Sequence, residues 1–381
     1  LYYENQGKNF RRPQLGKLDL RYGGIISGDE EIAAVTAVLK SQDWACGKIT
    51  REFEDAIAAY MGLPHAVFVN SGSSGLLAAL HCLPRGSTVA MPALQFPTLY
   101  SAALWCGLRP IVCDIDPDTL NMSMQTLLEA CEGRRADAVA FVHIAGNPAG
   151  IAEIANFCHE ENVLLIEDCC EALGSTSQGQ KAGTFGDISV ISTHGAHHIT
   201  TSVGGVAFTS NGSYAQQMRR LRDWGRDIDF SGSYEFITCG LNLQPSDIQA
   251  ALGLVQLSRA DDFISARRRN HAALARELTG VVYFPEALPG DDPSWFTFPF
   301  LTTDRDSVAE ELAAYGIETR HLLCGNLARQ PMTEGLRPED YPNADEAWRD
   351  GLWLPVHPRH SEEDMTRAGK IAREILIGGG A

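Results

Sequence analysis

Apolar residues along this chain fall into short runs and into longer stretches with helical spacing, and the two alternate for most of its length. Ser27-Gly28-Asp29-Glu30-Glu31 reads as a helix start, with helical periodicity continuing to Leu39. A second helix is expected from about Arg51 to Met61, then a short strand from Ala66 to Asn70, broken by Ser71-Gly72-Ser73-Ser74-Gly75 and a new helix. Strands at 87–91, 110–114, 137–142, 163–167, 188–192 and 204–208 follow, with helices at 97–106, 123–132 and 151–161 between several of them. This alternation predicts an α/β fold around a largely parallel sheet, and such sheets hold ligands at the carboxyl ends of their strands.

From Pro245 to about Leu278 the pattern is one long helical stretch, with Arg267-Arg268-Arg269 expected on its solvated face. A domain boundary inside it divides the chain into 1–255, an extended arm over 1–24 followed by a large domain, and 256–381. The second part, with strands near 295–301 and 317–322 and helices near 306–315 and 361–376, reads as a small α+β domain.

Length supports the division, since 381 residues exceed one typical domain. A net charge of -17 disfavours nucleic acid and anionic membrane as partners. No apolar run reaches the roughly 18 residues that cross a bilayer, and the opening Leu1–Phe10 lacks a signal pattern, so a cytoplasmic protein is expected. The ten cysteines are scattered apart from Cys169-Cys170, with no CxxC, which points to reduced thiols and no structural zinc. Lysine occurs only at positions 8, 17, 40, 48, 181 and 370.

Three segments carry chemistry. Ser71–Gly75, between a strand and a helix, offers N–H donors to a phosphate, although a plain glycine-rich turn has the same composition. Leu164–Asp168 is an apolar strand ending in two carboxylates, and an acid there can keep a pyridine nitrogen protonated or simply cap a helix. Ser192-Thr193-His194-Gly195-Ala196-His197-His198 places three imidazoles in five residues. The glutamate of a zinc motif is missing, so no metal is expected.

Taken in this order, these segments resemble the DegT/DnrJ/EryC1/StrS family of pyridoxal-phosphate sugar aminotransferases, from about Gly28 to Pro358. The resemblance implies a fold-type-I transferase with a mostly parallel mixed sheet. It implies phosphate binding by Gly72, Ser73, Ser74 and Ser192, and ring stacking by Phe96 in Gln95-Phe96-Pro97-Thr98. Asp168 takes the pyridine-nitrogen role within Glu167–Ala172, where Glu171 is also cofactor-binding, and Gly179–Asp187 matches a family hairpin. Asn242 matches an asparagine that reaches the cofactor phosphate of the partner subunit, which implies a homodimer.

In that family the serine is followed five residues later by the lysine that binds the cofactor covalently; here that position is His197. Lys181, the nearest lysine in sequence, lies in the hairpin before the strand. Histidine in the context Ala-His-His-Ile-Thr is similar to one branch, the 3-dehydratases of nucleotide-linked 4-keto-6-deoxyhexoses. Glu167–Ser175, Arg222–Asp227, Asp292–Phe296 and Gly325–Pro331 match it further. For this branch His197 is the implied catalytic residue, with His198, Arg226, Arg320, Asn326 and Arg329 on the substrate. The chemistry agrees: without a lysine, the pyridoxamine form of the cofactor can condense with a substrate ketone. An imidazole then serves as base and as acid for loss of the C3 hydroxyl.

One sub-branch carries a [2Fe–2S] cluster on four cysteines, three of them crowded after the Arg222–Asp227 segment. Between Asp227 and Pro245 only Cys239 occurs, so no iron–sulfur cluster is expected, and an amino acid such as glutamate is the implied amine donor. His194-Gly195 replaces an aromatic-proline pair and Val203 replaces a glutamate; these departures admit a keto sugar on an antibiotic nucleoside as substrate. An aminotransferase anchored elsewhere, for example on Lys181, and a non-catalytic binding or regulatory relative stay open as alternatives. The last is disfavoured, because such a protein has no need of Asp168, Ser192, Phe96 and Asn242 together.

Overall fold

The computed structural model describes residues 17–226 and 235–378. Its centre is a seven-stranded sheet of β1 (His65–Val69), β2 (Thr88–Pro92), β3 (Arg109–Cys113), β4 (Ala138–Val142), β5 (Leu164–Asp168), β6 (Ile188–Ser192) and β7 (Gly205–Thr209). Their spatial order is β1-β7-β6-β5-β4-β2-β3. Pairing is parallel from β6 through β5, β4 and β2 to β3, whereas β7 is antiparallel to both β1 and β6. All strands except β7 therefore run the same way, and their carboxyl ends meet at one edge.

The side-chain period of two sorts each strand between two layers. In β1, Val67 and Val69 join the core cluster that includes Leu76, Ala79 and Leu80 of the helix Gly72–Leu80. Ala66 and Phe68 face the other layer, with Phe53, Ile57 and Met61 of the helix Lys48–Met61. Phe53 and Phe68 meet edge to face at 4.9 Å, so the sheet is covered on both faces, as parallel sheets require.

The long stretch after Pro245 resolves into two helices, Asp247–Ser258 and Ala260–Leu278. The expectation of a solvated arginine face holds for Arg269 alone. Arg267 is only 1% exposed, because it falls in the helical stripe of Phe263, Ile264, Asn270, His271 and Leu274 that faces inward. The C-terminal part pairs Thr297–Leu301 with Gly351–Pro355 antiparallel, under Arg305–Ala314 and Glu362–Gly378. The expected strand at 317–322 is absent; Ile317 and Arg320 form isolated bridges to Leu20 and Trp353. Of the expected arm, residues 1–16 lie outside the described residues. Leu18 and Leu20 are buried in the C-terminal core with Leu274, Phe298 and Leu354. Among the described residues, no helix is long and apolar enough to cross a membrane.

Candidate active site

Register brings three sequence-distant segments to the carboxyl edge, since Gly205 faces Val69 on one side and Ser192 on the other. After β1, Ser71 caps the helix Gly72–Leu80 by accepting from the Ser74 N–H at 3.0 Å, and the Ser74 hydroxyl donates to Asn70 Oδ1 at 2.6 Å. The N–H groups of Gly72 and Ser73 have no partner inside the helix by position, and the helix dipole adds to their attraction for anions. A Cβ on Gly72 would stand 3.0 Å from Ser192 Cβ and 3.3 Å from Cys170 Sγ. The helix end, Ser192 and the segment after β5 thus form one small cradle, roomy only because position 72 has no side chain.

Beside the cradle, Asp168 ends β5 nearly buried, accepting from the Cys170 N–H at 3.0 Å. Burial raises its pKa above the ordinary carboxyl value, against the Cys170 hydrogen bonds and His143. Glu171 is pushed up to about 8 by burial first, and also by Asp168, while the Ala145 N–H and Arg267 oppose the rise. Glu167 plays a structural part instead. It accepts from the N–H groups of Gly183, Phe185 and Gly186 and faces His143 Nε2 at 3.0 Å, which ties down the hairpin between β5 and β6. His143, Glu167 and Cys169 have metal-like proximity, but the Glu167 oxygens are engaged and burial holds the Cys169 thiol well above its ordinary value. That is a poor donor set for a cation.

His197 is half-buried, stacked on Phe296 at 5.0 Å between ring centres, with Nδ1 2.7 Å from the carbonyl oxygen of Cys170. A carbonyl only accepts, so Nδ1 carries the hydrogen and Nε2 keeps a bare lone pair. Burial lowers its pKa to about 3, with His194 and Arg267 adding to the effect and the Cys170 bond opposing it. The ring is neutral at physiological pH. His198 is buried, its Nε2 3.0 Å from the Ser294 hydroxyl, and His194 is exposed.

The remaining predicted residues make other contacts. Phe96 is 57% exposed. Asn242 is exposed, accepting from the Gln244 N–H, and its neighbour Leu243 accepts from the Asn70 N–H at 2.9 Å. Asn326 is fully buried, capping Leu327–Arg329 and donating to Pro338 and Asp345. Arg329 lies bidentate on Asp345, with its guanidinium over Trp348. Arg320 pairs with Glu318 and covers the Tyr22 ring, and Arg226 lies over Trp224. Asp227, at the end of the Arg222–Asp227 match, lies outside the described residues. Cys170, Arg267 and Phe296 border the histidine loop or pack on the His197 ring, Tyr22 packs edge-on against Phe296, and none was expected there. Phe296 and Cys170 stood inside matched strings; Arg267 and Tyr22 carried no such signal of their own.

Lys181 does not reach the cradle. Its ammonium donates to the Tyr60 carbonyl and sits over the Tyr60 ring at 4.3 Å. Lys17, Lys40, Lys48 and Lys370 are exposed.

An anion cradle on a helix end, with a buried acid at the neighbouring strand end, fits the phosphate and the ring nitrogen of pyridoxal phosphate. The sheet order and these two groups define a fold-type-I pyridoxal-phosphate enzyme. The model of the DegT/DnrJ/EryC1/StrS aminotransferase family matches residues 26–372, and the chain belongs to that family. A dTDP-4-dehydro-2,6-dideoxy-D-glucose 3-dehydratase of Saccharopolyspora spinosa is 35% identical, over 88% of this chain and 82% of its own. Among solved structures, GDP-4-keto-6-deoxymannose-3-dehydratase with a trapped PLP-glutamate geminal diamine superposes with a TM-score of 0.86 at 26% identity, covering 92% of this chain and 99% of its own. The aminotransferase TlmJ from Streptoalloteichus hindustanus reaches 0.86 at 27% identity, over 95% and 100%. Dehydratases and aminotransferases thus stand equally near.

Because no described lysine amine lies at the cradle, borohydride treatment of the cofactor-loaded protein is expected to leave the cofactor removable on denaturation. Intact-mass spectrometry checks this; a mass gain mapping to Lys181 contradicts it.

Proposed function

We propose that this protein is a pyridoxamine-phosphate-dependent 3-dehydratase, removing the C3 hydroxyl of a 4-keto-6-deoxyhexose carried on a nucleotide. An amino acid such as glutamate restores the amine form of the cofactor. One observation carries the reading: an imidazole with a bare Nε2, held at Nδ1 by the Cys170 carbonyl, stands at the position that corresponds in sequence to the family's lysine. The dTDP and GDP sugars in the relatives' names support the substrate class.

When bound, the cofactor supplies an amine for the ketone and a ring that accepts an electron pair. The chain's own residues divide the remaining work. Gly72, Ser73, Ser74 and Ser192 bind the phosphate through N–H and hydroxyl donors, and Phe96 covers the ring. Asp168, shielded from water, holds the proton of the ring nitrogen. His197 takes up a proton at Nε2 and returns it to the departing C3 hydroxyl, which leaves as water. Glu171, with a value near 8, keeps its own proton at neutral pH.

The test is the product. With glutamate and a nucleotide-linked 4-keto-6-deoxyhexose, mass spectrometry should find a 3-deoxy sugar lighter by one oxygen atom, the C3 hydroxyl leaving as water and C3 gaining hydrogen, with one 2-oxoglutarate and one ammonia formed per turnover. In His197→Asn that turnover should fall by roughly 10²–10⁴-fold with cofactor content retained. Product carrying nitrogen in place of the keto oxygen, or full turnover by the variant, contradicts the reading.

We also propose a homodimer in which Asn242 contributes to the neighbouring subunit's phosphate site. Exposed Trp224, Phe236, Ile237 and Leu241 flank Asn242, and Ile25, Ile32 and Trp44 are exposed as well, which is apolar surface of the kind that partners cover. Light scattering at micromolar concentration should give twice the chain mass. A monomer with a full complement of cofactor contradicts this.

A further inference from the structure

Arg267 is a buried guanidinium that hydrogen-bonds to carbonyl oxygens rather than to a carboxylate. It is 1% exposed, and an isolated buried cation is costly unless its donors are used. One nitrogen reaches the Phe296 oxygen at 2.9 Å, and another reaches those of Ala196 and His197, both at 3.5 Å. It also lies against the Phe296 ring, with its central carbon 5.4 Å from the ring centre. One side chain thus grips the backbone of His197 and of the residue on which His197 stacks.

A second observation points the same way. A small cavity of about 10 Å³, room for a single water, is lined by His197, His198, Arg267, Thr200, Gln256 and His357, among others. Two of these residues have a buried nitrogen without a protein partner, Nε of Arg267 and Nδ1 of His198. With His198 Nε2–H directed to Ser294, Nδ1 is an acceptor, and Arg267 Nε–H is a donor. A water between them satisfies both.

From this clamp we infer that Arg267 is the positioning residue of His197, fixing its backbone against Phe296 and, through one buried water, bracing His198 behind it. The inference rests on His197 as the base proposed above. The cation also disfavours a second positive charge on the neighbouring imidazole. His197 is faced by His194 and His198 of its own loop, by the Cys170 carbonyl after β5 and, across the small cavity, by His357 of the C-terminal part, while Tyr22 and Glu171 bear on Arg267. Arg267 is the permanent cation among these groups. Burial lowers even its own value to about 10, so it stays charged wherever the enzyme is assayed.

The experiment is NMR of the imidazole nitrogens in histidine-labelled holoenzyme, for wild type, Arg267→Lys and Arg267→Gln, alongside the pH profile of turnover. Wild-type His197 should keep hydrogen on Nδ1 and a bare Nε2, without titrating, from about pH 5 to 8. In Arg267→Gln the His197 titration and the acid limb of turnover should both move up by about one pH unit or more, with Arg267→Lys in between. Titration of wild-type His197 inside that range overturns the inference even if Arg267→Gln fails to fold. So does a folded Arg267→Gln that loses turnover while the His197 nitrogens stay as in wild type. The nitrogen signals do not depend on which reaction is run, so failure of the dehydratase reading is seen separately, in the product.

Discussion

The hydrogen bond from His197 Nδ1–H to the Cys170 carbonyl joins two stretches of chain that sequence separates by 27 positions. Everything that sets this edge apart from an ordinary cofactor cradle depends on it. It selects the tautomer and turns the bare nitrogen away from the segment after β5. Its existence depends on the sheet, because β5 and β6 are parallel neighbours and Asp168 is level with Val190. The residues following the two strands consequently emerge side by side. The same register places Asp168 and Ser192 at one edge, so cofactor anchorage and the proposed proton transfer share one structural origin.

Electrostatics at this edge run against the charge of the whole molecule. The chain carries a net charge of -17, yet the cradle presents N–H groups and a helix end, and its carboxyl groups are buried where they resist ionisation. A phosphate entering the cradle meets donors before it meets negative charge. On the proposed placement, a positive ring nitrogen beside Asp168 would supply the counter-charge that ionises this acid. The low dielectric that raises the pKa of both acids also lowers that of His197, so burial sets all three before any ligand arrives.

Much of this was legible in the sequence. Strands predicted at 87–91, 163–167, 188–192 and 204–208 lie within about a residue of those observed, because short apolar runs between turn residues are a strong local signal. The cradle was legible for the same reason, since glycine and serine between a strand and a helix form a local pattern. What failed was whatever depended on partners. Arg267 sits in a run of three arginines, and no local pattern reveals that the first of them is turned inward. Residues 317–322 have strand-like composition but no second strand to pair with beyond single bridges. Asn326 and Arg329, expected on the substrate, are engaged by Asp345 in this structure, a pairing that requires knowing which distant acid folds beside them. His198 differs from His197 by one position in sequence and by burial against Ser294 in space.

If the side chain at position 197 decides the outcome of the reaction, on an edge otherwise common to both kinds of relative, then exchanging that side chain should exchange the product. The decisive comparison gives wild type and His197→Lys the same keto sugar and glutamate, and weighs what each releases. The variant should bind the cofactor covalently, trappable by borohydride, and shift its product from the 3-deoxy keto sugar to an amino sugar. A variant that anchors the cofactor and still yields the 3-deoxy keto sugar at the wild-type rate would contradict this role for His197.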